Sequence, residues 1–503
     1  MNKKTIVLIG FIILKFVLQY TLISPEYDLQ RDEYLHLDQA HHLAWGYLSV
    51  PPVTSWFSYV IFLLGNSVFW VKFFPALFGA LTLLMVWKTI ELLKGNWYAL
   101  ILGALCIVFS ALLRINMLYQ PNSVDVLSWT AFYYVVIQYI SSKKPKWLYI
   151  GAVVFAFGFL NKYNILFLLI GLFPALLLSK QRKILAEKKL YFALILGILL
   201  ILPNLLWQYN NNFPIVHHMK ELAETQLVNV DRIDFLKEQI LYFIGGLFVT
   251  LSSFYALLFY KPFEKFKFFF TSIIFTLLVF LYFKAKAYYA IGLYPIYIAF
   301  GAVYLEDVLQ SGWKRYLKPV FILLPLLFFI PMYQLAFPNK SPEYIVKNKL
   351  GTHRWEDGKE HNLSQDFADM LGWKELARKT DSVYALFPKS ENTLVLCDNY
   401  GQAGAINYYT KKGIKAVSFN ADYVNWFNLN VYYTNLIRVK EFEENSTEFK
   451  ETSPFFESAR IGGIITNQYA REYQTTIFVF TKAKVDINNR LKKEIEEEKN
   501  YDN

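Results

Sequence analysis

Long apolar runs follow one another from the N-terminus to about residue 335. Runs such as Thr5–Ile23, Leu100–Leu118 and Phe268–Phe283 are nearly free of charge. A bilayer core of about 30 Å needs about 20 apolar residues per helix, and interfacial aromatic residues allow shorter runs to suffice. The pattern predicts about eleven transmembrane helices, with approximate cores at residues 5–23, 68–90, 98–118, 126–141, 147–161, 164–179, 191–208, 239–259, 267–283, 288–305 and 317–334.

The composition supports an integral membrane protein. Hydrophobic residues make up 55% of the 503 positions and charged residues 18%, which is too little charge to cover a soluble domain of this length. Ser-Pro-Glu-Tyr follows the first apolar run instead of a small-residue cleavage site, so we expect an uncleaved span. The two cysteines, Cys106 and Cys397, lie in segments of different character and predict no disulfide.

The positive charges indicate the orientation. The net charge of +11 lies mostly in short loops between the predicted spans, and every second loop is basic. Because cytoplasmic loops are enriched in Lys and Arg, this alternation places the N-terminus in the cytoplasm. An odd number of spans then places the C-terminal region outside, and the charge reports topology instead of nucleic-acid binding.

After about Pro338 the composition becomes that of a soluble domain. Residues 392–398 form an apolar run that predicts a strand, and a helix-like stretch follows it. Ile464–Thr466 and Thr475–Phe480 predict further strands, and Asn489–Asn503 predicts a charged helix or frayed tail. We therefore expect a transmembrane domain over residues 1–338 and a small extracytoplasmic α/β domain over residues 339–503.

Cations on the predicted outer side are exceptions to the topology rule. The densest group is Lys284 and Lys286 with Tyr288 and Tyr289, at the boundary between two predicted spans. A single lysine there usually snorkels to the interface, but two lysines beside two tyrosines favour binding of a lipid phosphate. The other cations on this side are Arg31, Arg114, Lys162, Lys220, Arg232 and Lys237, of which Arg114 and Lys162 are the next phosphate candidates.

Carboxylates near the outer surface are the candidate catalytic groups. Asp32 and Glu33 follow the first span, and Asp125 stands at the outer end of another. A carboxylate could deprotonate an acceptor hydroxyl, and an acid at the membrane edge is costly unless it is paired or used. An exposed acidic pair is often only solvated, and Asp125 is equally consistent with a helix N-cap.

Polar residues in and near the first span leave alternatives open. His36, His41 and His42 share a loop with the acidic pair, so a divalent metal site is one interpretation, although structural roles are commoner. Lys15, midway along the first span, either pairs with an acid of another helix or snorkels.

Several motifs together resemble one family. The acidic pair, followed by His42 to Tyr47 and by Pro51 and Pro52, is similar to the start of the bacterial PMT-type glycosyltransferases. These are relatives of the protein O-mannosyltransferases and of the aminoarabinose transferase that modifies lipid A, all with the GT-C membrane fold. Further similar segments are Val71–Gly79, Gln120–Asp125, Leu160–Tyr163, Glu224–Asn229, Lys284–Tyr289 and Asp398–Gly404.

The resemblance covers nearly the whole chain and implies an activity. It implies transfer of a sugar from a polyprenyl-phosphate donor to a lipid, glycan or protein acceptor, with inversion, at the outer face of a bacterial inner membrane. Asp32 would be the catalytic carboxylate, with Glu33 beside it and Asp125 in support, and His42 and Tyr47 would line the acceptor site. The aminoarabinose transferase carries a lysine just before the position of Pro51, whereas Ser49 and Val50 stand here. Lys284 or Lys286 would therefore hold the phosphate instead.

Two other classes of protein are alternatives. A lipid or sugar transporter often has an internal repeat and a polar site at mid-membrane. Here no repeat is evident, and the polar residues gather at one face. A non-enzymatic scaffold is the other alternative, against which the acidic loop and basic outer boundary argue. We find no Gly-rich phosphate loop or dinucleotide-binding motif, so we expect neither a nucleotide cofactor nor a nucleic-acid partner.

Overall fold

The computed structural model describes residues 2–351, 353–355, 358–388, 392–442 and 445–499. The chain forms two compact units. The first contains Met1–Leu22, Val50–Thr54 and Phe69–Phe337, and the second contains Ile23–Ser49, Ser55–Val68 and Pro338–Asn503. The first unit ends at Phe337, beside the predicted domain boundary at residue 338. Most of the predicted outer loop between the first two spans, however, belongs to the second unit together with the C-terminal residues. The placement of those C-terminal residues outside the cytoplasm stays a prediction.

Helices make up most of the described chain, as predicted. Up to residue 335 they are α1 Lys3–Thr21, α2 Arg31–Asp38, α3 Val53–Leu63, α4 Val68–Leu92, α5 Trp97–Val108, α6 Leu112–Ile115, α7 Asn122–Ser142, α8 Lys146–Phe159, α9 Ile165–Leu177, α10 Lys188–Asn210, α11 Pro214–Thr225, α12 Arg232–Leu241, α13 Leu247–Phe259, α14 Phe268–Tyr282, α15 Tyr294–Val308 and α16 Lys318–Leu335. The later helices are α17 Pro342–Lys347, α18 Gln365–Ala368, α19 Trp373–Tyr384, α20 Tyr400–Tyr409, α21 Asn445–Thr452 and α22 Ile487–Lys499.

Every predicted span core falls on one or two of these helices. Among the described residues, five helical segments are long and apolar enough to cross a membrane, namely Lys3–Thr21, Val68–Leu92, Lys188–Asn210, Ala287–Val308 and Gly312–Leu335. Two bent helix pairs raise the number to seven, and four shorter apolar helices include α5 and α8. The predicted run over residues 98–118 is interrupted, because α5 ends at Val108 and the short α6 follows. The total of eleven spans therefore stays a prediction.

Small residues allow the helices of the first unit to pack closely. At Gly171 on α9, an added Cβ would lie 1.9 Å from the Thr276 hydroxyl oxygen on α14. At Gly301 on α15, a Cβ would lie 1.9 Å from the Val249 carbonyl oxygen on α13. Small residues of this kind are typical of helix contacts in membranes, where close backbone approach supplies the packing energy.

The second unit contains a five-stranded mixed sheet, which confirms the predicted small α/β region. Its strands are β3 Thr393–Cys397, β4 Ala416–Ser418, β5 Asn435–Lys440, β6 Phe456–Ile464 and β7 Thr476–Ala483, and a separate hairpin pairs β1 His353–Arg354 with β2 Glu360–His361. The order in the sheet is β4-β3-β5-β7-β6, with β4, β3 and β5 parallel and β7 antiparallel to both of its neighbours.

The strand predictions are partly corrected by this sheet. The runs at residues 392–398 and 475–480 correspond to β3 and β7, whereas the strand expected over Ile464–Thr466 lies earlier and ends at Ile464. The predicted C-terminal helix is α22, whose Leu491 and Ile495 pack with Phe478 and Phe480 of the sheet. Residues 500–503 of that prediction lie outside the described residues.

Candidate functional site

The predicted catalytic pair lies at the start of α2, in the second unit. Gln30 is the N-cap, and its side-chain oxygen accepts a 2.9 Å hydrogen bond from the Asp32 backbone N–H. The Glu33 carboxylate accepts a 2.6 Å hydrogen bond from the Gln30 backbone N–H and is fully buried. These two bonds form a capping box, so Glu33 holds the start of the helix. A catalytic role for Glu33 stays a prediction.

The Asp32 side chain is partly buried and accepts a hydrogen bond from a residue in the C-terminal part of the chain. The Tyr400 hydroxyl, on the first residue of α20, donates a 2.7 Å hydrogen bond to Asp32 Oδ1. The Arg31 guanidinium lies 4.5 Å from the centre of the Tyr400 ring, and burial raises the pKa of Tyr400. The phenol therefore stays protonated and donates to the carboxylate. Asp32 is a candidate from the sequence alone, whereas Tyr400 appears there only as part of the similar segment Asp398–Gly404.

The segment Asp398–Gly404 explains how α20 approaches α2. An added Cβ at Gly401 would lie 2.5 Å from Arg31 Cγ, and one at Gly404 would lie 2.7 Å from Tyr34 Cβ. Asn399 caps α20 by accepting a 3.0 Å hydrogen bond from the Gln402 backbone N–H. The sequence had linked this segment only to the family resemblance. In the structure it packs α20 against the helix that carries Asp32.

Further charged groups surround Arg31. Its backbone N–H donates to the Asp369 carbonyl oxygen at 3.0 Å, and Asp369 pairs with Arg471 at 3.3 Å. Burial raises the pKa of Asp369 to about 7, although Arg471 and Arg31 both oppose the increase. Burial lowers the pKa of Arg31, but the nearby acidic groups, with Tyr400 foremost, outweigh it and raise the pKa overall. Arg31 therefore stays a cation beside Asp32.

The predicted acceptor-site residues His42 and Tyr47 both have structural contacts. The Tyr47 side chain is buried, its hydroxyl donates to the His42 carbonyl oxygen at 3.1 Å, and it accepts a bond from the Ala44 N–H at 3.2 Å. The His42 ring stacks on Trp426 with centroids 4.3 Å apart. Burial, together with His41 and Lys415, lowers the pKa of His42 to about 4. His42 is therefore neutral at pH 7, and a role in acceptor binding stays a prediction for both residues.

The three histidines of the first loop pack against different side chains. His36 Nδ1 lies 3.3 Å from the Gln39 side-chain oxygen, and His41 packs edge-on against Phe62. Within the described ranges no group of three or more His, Cys, Asp or Glu side chains is placed to hold a metal ion.

Asp125 lies in the first unit, in the first turn of α7. Its Oδ1 accepts a 3.0 Å hydrogen bond from Trp129 Nε1, and its Oδ2 accepts a 2.8 Å bond from Asn164 Nδ2. Pro121 occupies the N-cap position, so the interpretation of Asp125 as an N-cap is wrong. Asn164 also donates to the Tyr289 carbonyl oxygen at 2.9 Å, which ties Asp125 to the tyrosine pair.

The Lys162 ammonium contacts the rings of both Tyr288 and Tyr289. Its ammonium lies 4.4 Å from the centre of the Tyr289 ring and 5.1 Å from that of Tyr288. It also donates a 2.8 Å hydrogen bond to the Asn122 side-chain oxygen. Lys162 is far from the two tyrosines along the chain, so the sequence alone favours Lys284 and Lys286 over it as phosphate ligands.

Lys284 and Lys286 lie between α14 and a 3-10 helix over Ala287–Leu293. Lys284 has a positive φ of 51°, and Lys286 has a non-helical backbone conformation at the N-cap of this 3-10 helix. The Lys286 ammonium donates to the Gln226 side-chain oxygen at 2.5 Å, and the Lys284 ammonium donates to the Val228 carbonyl oxygen at 3.4 Å. Both lysines therefore contact the segment around residues 226–229, whereas the tyrosines contact Lys162.

The remaining polar candidates of the first unit are buried. Arg114 lies on α6. Lys15 is 1% exposed and donates to the side-chain oxygen of Gln19, one turn further along α1. Lys15 contacts an amide on its own helix instead of an acid on another helix, and its ammonium is buried instead of reaching the interface. Both interpretations of Lys15 are therefore wrong.

Comparison with known proteins bears on the family and on the fold. Residues 49–207 match the dolichyl-phosphate-mannose-protein mannosyltransferase family. No curated protein sequence matches the chain. The crystal structure of ArnT from Cupriavidus metallidurans bound to undecaprenyl phosphate is similar with a TM-score of 0.63 at 11% identity, over 95% of this chain and 98% of that one. Its apo state gives 0.60 at 10% identity, over 95% and 98%.

A more distant likeness is to the oligosaccharyltransferase of Archaeoglobus fulgidus tethered to an acceptor peptide. The TM-score is 0.51 at 9% identity, over 88% of this chain and 70% of that one. At identities this low, structural similarity shows that the folds are alike and nothing about function. The chain therefore has the GT-C membrane fold that the sequence resemblance implied, and within residues 49–207 it carries the sequence pattern of the dolichyl-phosphate-mannose-protein mannosyltransferase family.

Proposed function

We propose that this protein is a membrane glycosyltransferase. It moves a sugar from a polyprenyl-phosphate donor to a lipid, glycan or protein acceptor at the outer face of a bacterial inner membrane. The observation that carries the proposal is the extent of the fold likeness, because one alignment covers 95% of this chain and 98% of an ArnT crystallised with undecaprenyl phosphate. The family match over residues 49–207 supports the same activity independently.

The proposed reaction is a single displacement at the anomeric carbon. An acceptor hydroxyl attacks that carbon, and Asp32 takes the hydroxyl proton as a general base. The bond from the anomeric carbon to the phosphate oxygen breaks, and its electron pair leaves with the polyprenyl phosphate. The new bond forms opposite the leaving group, so the configuration at the anomeric carbon inverts.

The cations of the first unit are proposed to bind the donor phosphate. Lys162, Lys284 and Lys286 all lie near Tyr288 and Tyr289 in the chain or in space, and Arg114 is a further candidate. Fixed cations stabilise the negative charge that develops on a leaving phosphate. Asp125 would support this group through Asn164, which bonds both its carboxylate and the Tyr289 carbonyl oxygen.

A transfer assay tests the proposal without knowledge of the acceptor. Membranes containing the protein are incubated with undecaprenyl-phosphate sugars that are labelled in the sugar, and release of undecaprenyl phosphate is measured beside label in lipid, glycan and protein. We expect release with at least one sugar, and a loss of about 10²–10⁴ in rate for Asp32→Asn.

The matched control is Asp28→Asn. Asp28 is a carboxylate of the same loop, but it pairs with Lys374 at 2.8 Å. We expect Asp28→Asn to retain transfer. Transfer at the wild-type rate by Asp32→Asn would remove Asp32 from the mechanism. Transport of labelled lipid with no transfer to any fraction would favour a transporter instead.

A further inference from the structure

The first unit contains an apolar cavity that the proposed reaction does not use. Its volume is about 330 Å³, within the usual range for sites that bind small ligands. The walls come from α7, α8, α9, α10 and the 3-10 helix Lys180–Ala186, and nearly every lining atom is apolar. Three lining residues, Phe173, Leu194 and Ile198, are at least half exposed, so the cavity opens sideways. An apolar chain could enter from the bilayer.

One end of this cavity is strongly basic. The Lys143 ammonium lies 5.6 Å from the centre of the Tyr139 ring, and the Lys146 ammonium lies 5.1 Å from that of Trp147. Both of these rings line the cavity. The neighbouring segments, residues 143–146 and 180–189, carry eight Lys and Arg residues and one carboxylate, Glu187. Positive charge is therefore concentrated where the apolar walls end.

This end lies far from the group around Asp125. Asp125 is in the first turn of α7, and Tyr139 is in its last turn. At 1.5 Å per residue, the two positions are about 20 Å apart along the helix axis. The basic end of the cavity therefore belongs to the opposite end of the bundle from the proposed phosphate-binding lysine Lys162, which bonds Asn122.

We propose that this cavity binds an anionic phospholipid, with an acyl chain between the helices and the phosphate at Lys143 and Lys146. Apolar walls match an acyl chain, and a basic pocket between transmembrane helices matches an anionic head group. A zwitterionic lipid has the same chains but no net charge, so its head group would gain less binding free energy from Lys143 and Lys146. The proposal does not depend on the proposed transferase activity.

Lipid binding to the full-length protein in detergent tests the proposal. Dioleoylphosphatidylglycerol is compared with dioleoylphosphatidylcholine by native mass spectrometry and by the change in Tm. We expect a saturable complex and an increase in Tm with the anionic lipid. The double variant Lys143→Gln/Lys146→Gln should bind it at least about tenfold more weakly, because each lost charge-assisted contact weakens binding strongly.

Two further variants distinguish binding in the cavity from general attraction of anionic lipids to basic loops. Lys314→Gln/Lys318→Gln is the charge-matched control, since the Lys318 ammonium also lies over an aromatic ring, Tyr98 at 5.4 Å, but outside the cavity. This control should bind like the wild type. Gly197→Leu keeps every charge and fills the cavity, because an added Cβ there meets Ala152 only at 3.8 Å. It should lose the saturable complex.

Three outcomes would overturn the proposal. The first is equal binding of the two lipids, which indicates ordinary lipid at the protein surface. The second is an equal loss in the control pair. The third is displacement of dioleoylphosphatidylglycerol by undecaprenyl phosphate in competition, which would assign the cavity to a polyprenyl chain.

Discussion

The Tyr400 hydroxyl donates a 2.7 Å hydrogen bond to Asp32 Oδ1, across 368 positions of sequence. The bond connects the start of α20 with the start of α2, both within the second unit. A carboxylate that acts as a base must be held in one orientation, and this phenol supplies the contact. The C-terminal residues therefore contribute directly to the surroundings of the proposed base.

The variant Tyr400→Phe tests this contact. It removes one hydroxyl and keeps the ring under Arg31, so we expect the protein to fold and kcat to fall by about tenfold to a hundredfold. The estimate follows from about 1.5–3 kcal/mol for a hydrogen bond to a charged group. The donor KM should change little, because the base does not bind the donor phosphate.

Tyr409→Phe is the matched control for this prediction. Tyr409 lies at the other end of α20, and its hydroxyl is 3.3 Å from that of Tyr34 instead of contacting Asp32. Its loss should leave kcat unchanged. If Tyr400→Phe changes only the Tm, then Tyr400 is structural and does not orient the base.

The pH dependence of stability is predicted to depend on Asp369. Burial raises the pKa of Asp369 to about 7, above the value of about 4 of an unfolded aspartate. The folded state therefore holds this proton more tightly, and the associated stability is present at low pH and is lost as the pH rises through 7. Asp369→Asn cannot titrate. Its Tm should fall less than that of the wild type between pH 5 and pH 8.

The control for this comparison is Glu343→Gln, an exposed carboxylate of the same unit, for which we expect the wild-type pH dependence. Tm is measured at each pH on the purified full-length protein. A wild-type Tm that is independent of pH over this range would contradict the prediction.

The elements that the sequence predicts correctly are those with a local determinant. The bilayer requires an apolar run for each span, so α4 and α10 follow from composition alone. The strand β4 has only three residues, too few to give a recognisable pattern, and it was missed. The contacts of Tyr400 with Asp32, and of Lys162 with Tyr289, join residues far apart in sequence and leave no local pattern. Only the structure shows that these residues are in contact.

Membrane orientation gives a further prediction. A periplasmic reporter enzyme fused after Asn339 should be active, and the same reporter fused after Arg182 should be inactive, because every second loop is basic. A cytoplasmic reporter should give the reverse pattern at the two positions. If both reporters contradict this, the orientation is wrong and the proposed reaction cannot take place at the outer face.

The last prediction concerns the donor phosphate. The geometry separates the cations into Lys162, which lies against Tyr288 and Tyr289, and the pair Lys284 and Lys286, which contacts residues 226–229. If each group touches the phosphate, Lys162→Ala and Lys284→Ala/Lys286→Ala should both raise the donor KM. A loss of about 1.5–3 kcal/mol corresponds to a tenfold to hundredfold weakening.

These variants also distinguish the two groups of cations from each other. Lys261→Ala, in a basic loop that we predict to be cytoplasmic, is the control and should leave the donor KM unchanged. The acceptor KM should stay constant in all of them, because the cations are proposed to meet only the leaving phosphate. A raised donor KM in Lys162→Ala alone would place the phosphate beside the tyrosine pair, and would assign Lys284 and Lys286 to holding the segment at residues 226–229. Unchanged donor binding in a triple variant of Lys162, Lys284 and Lys286 would contradict the proposal for both groups and leave Arg114 as the next candidate.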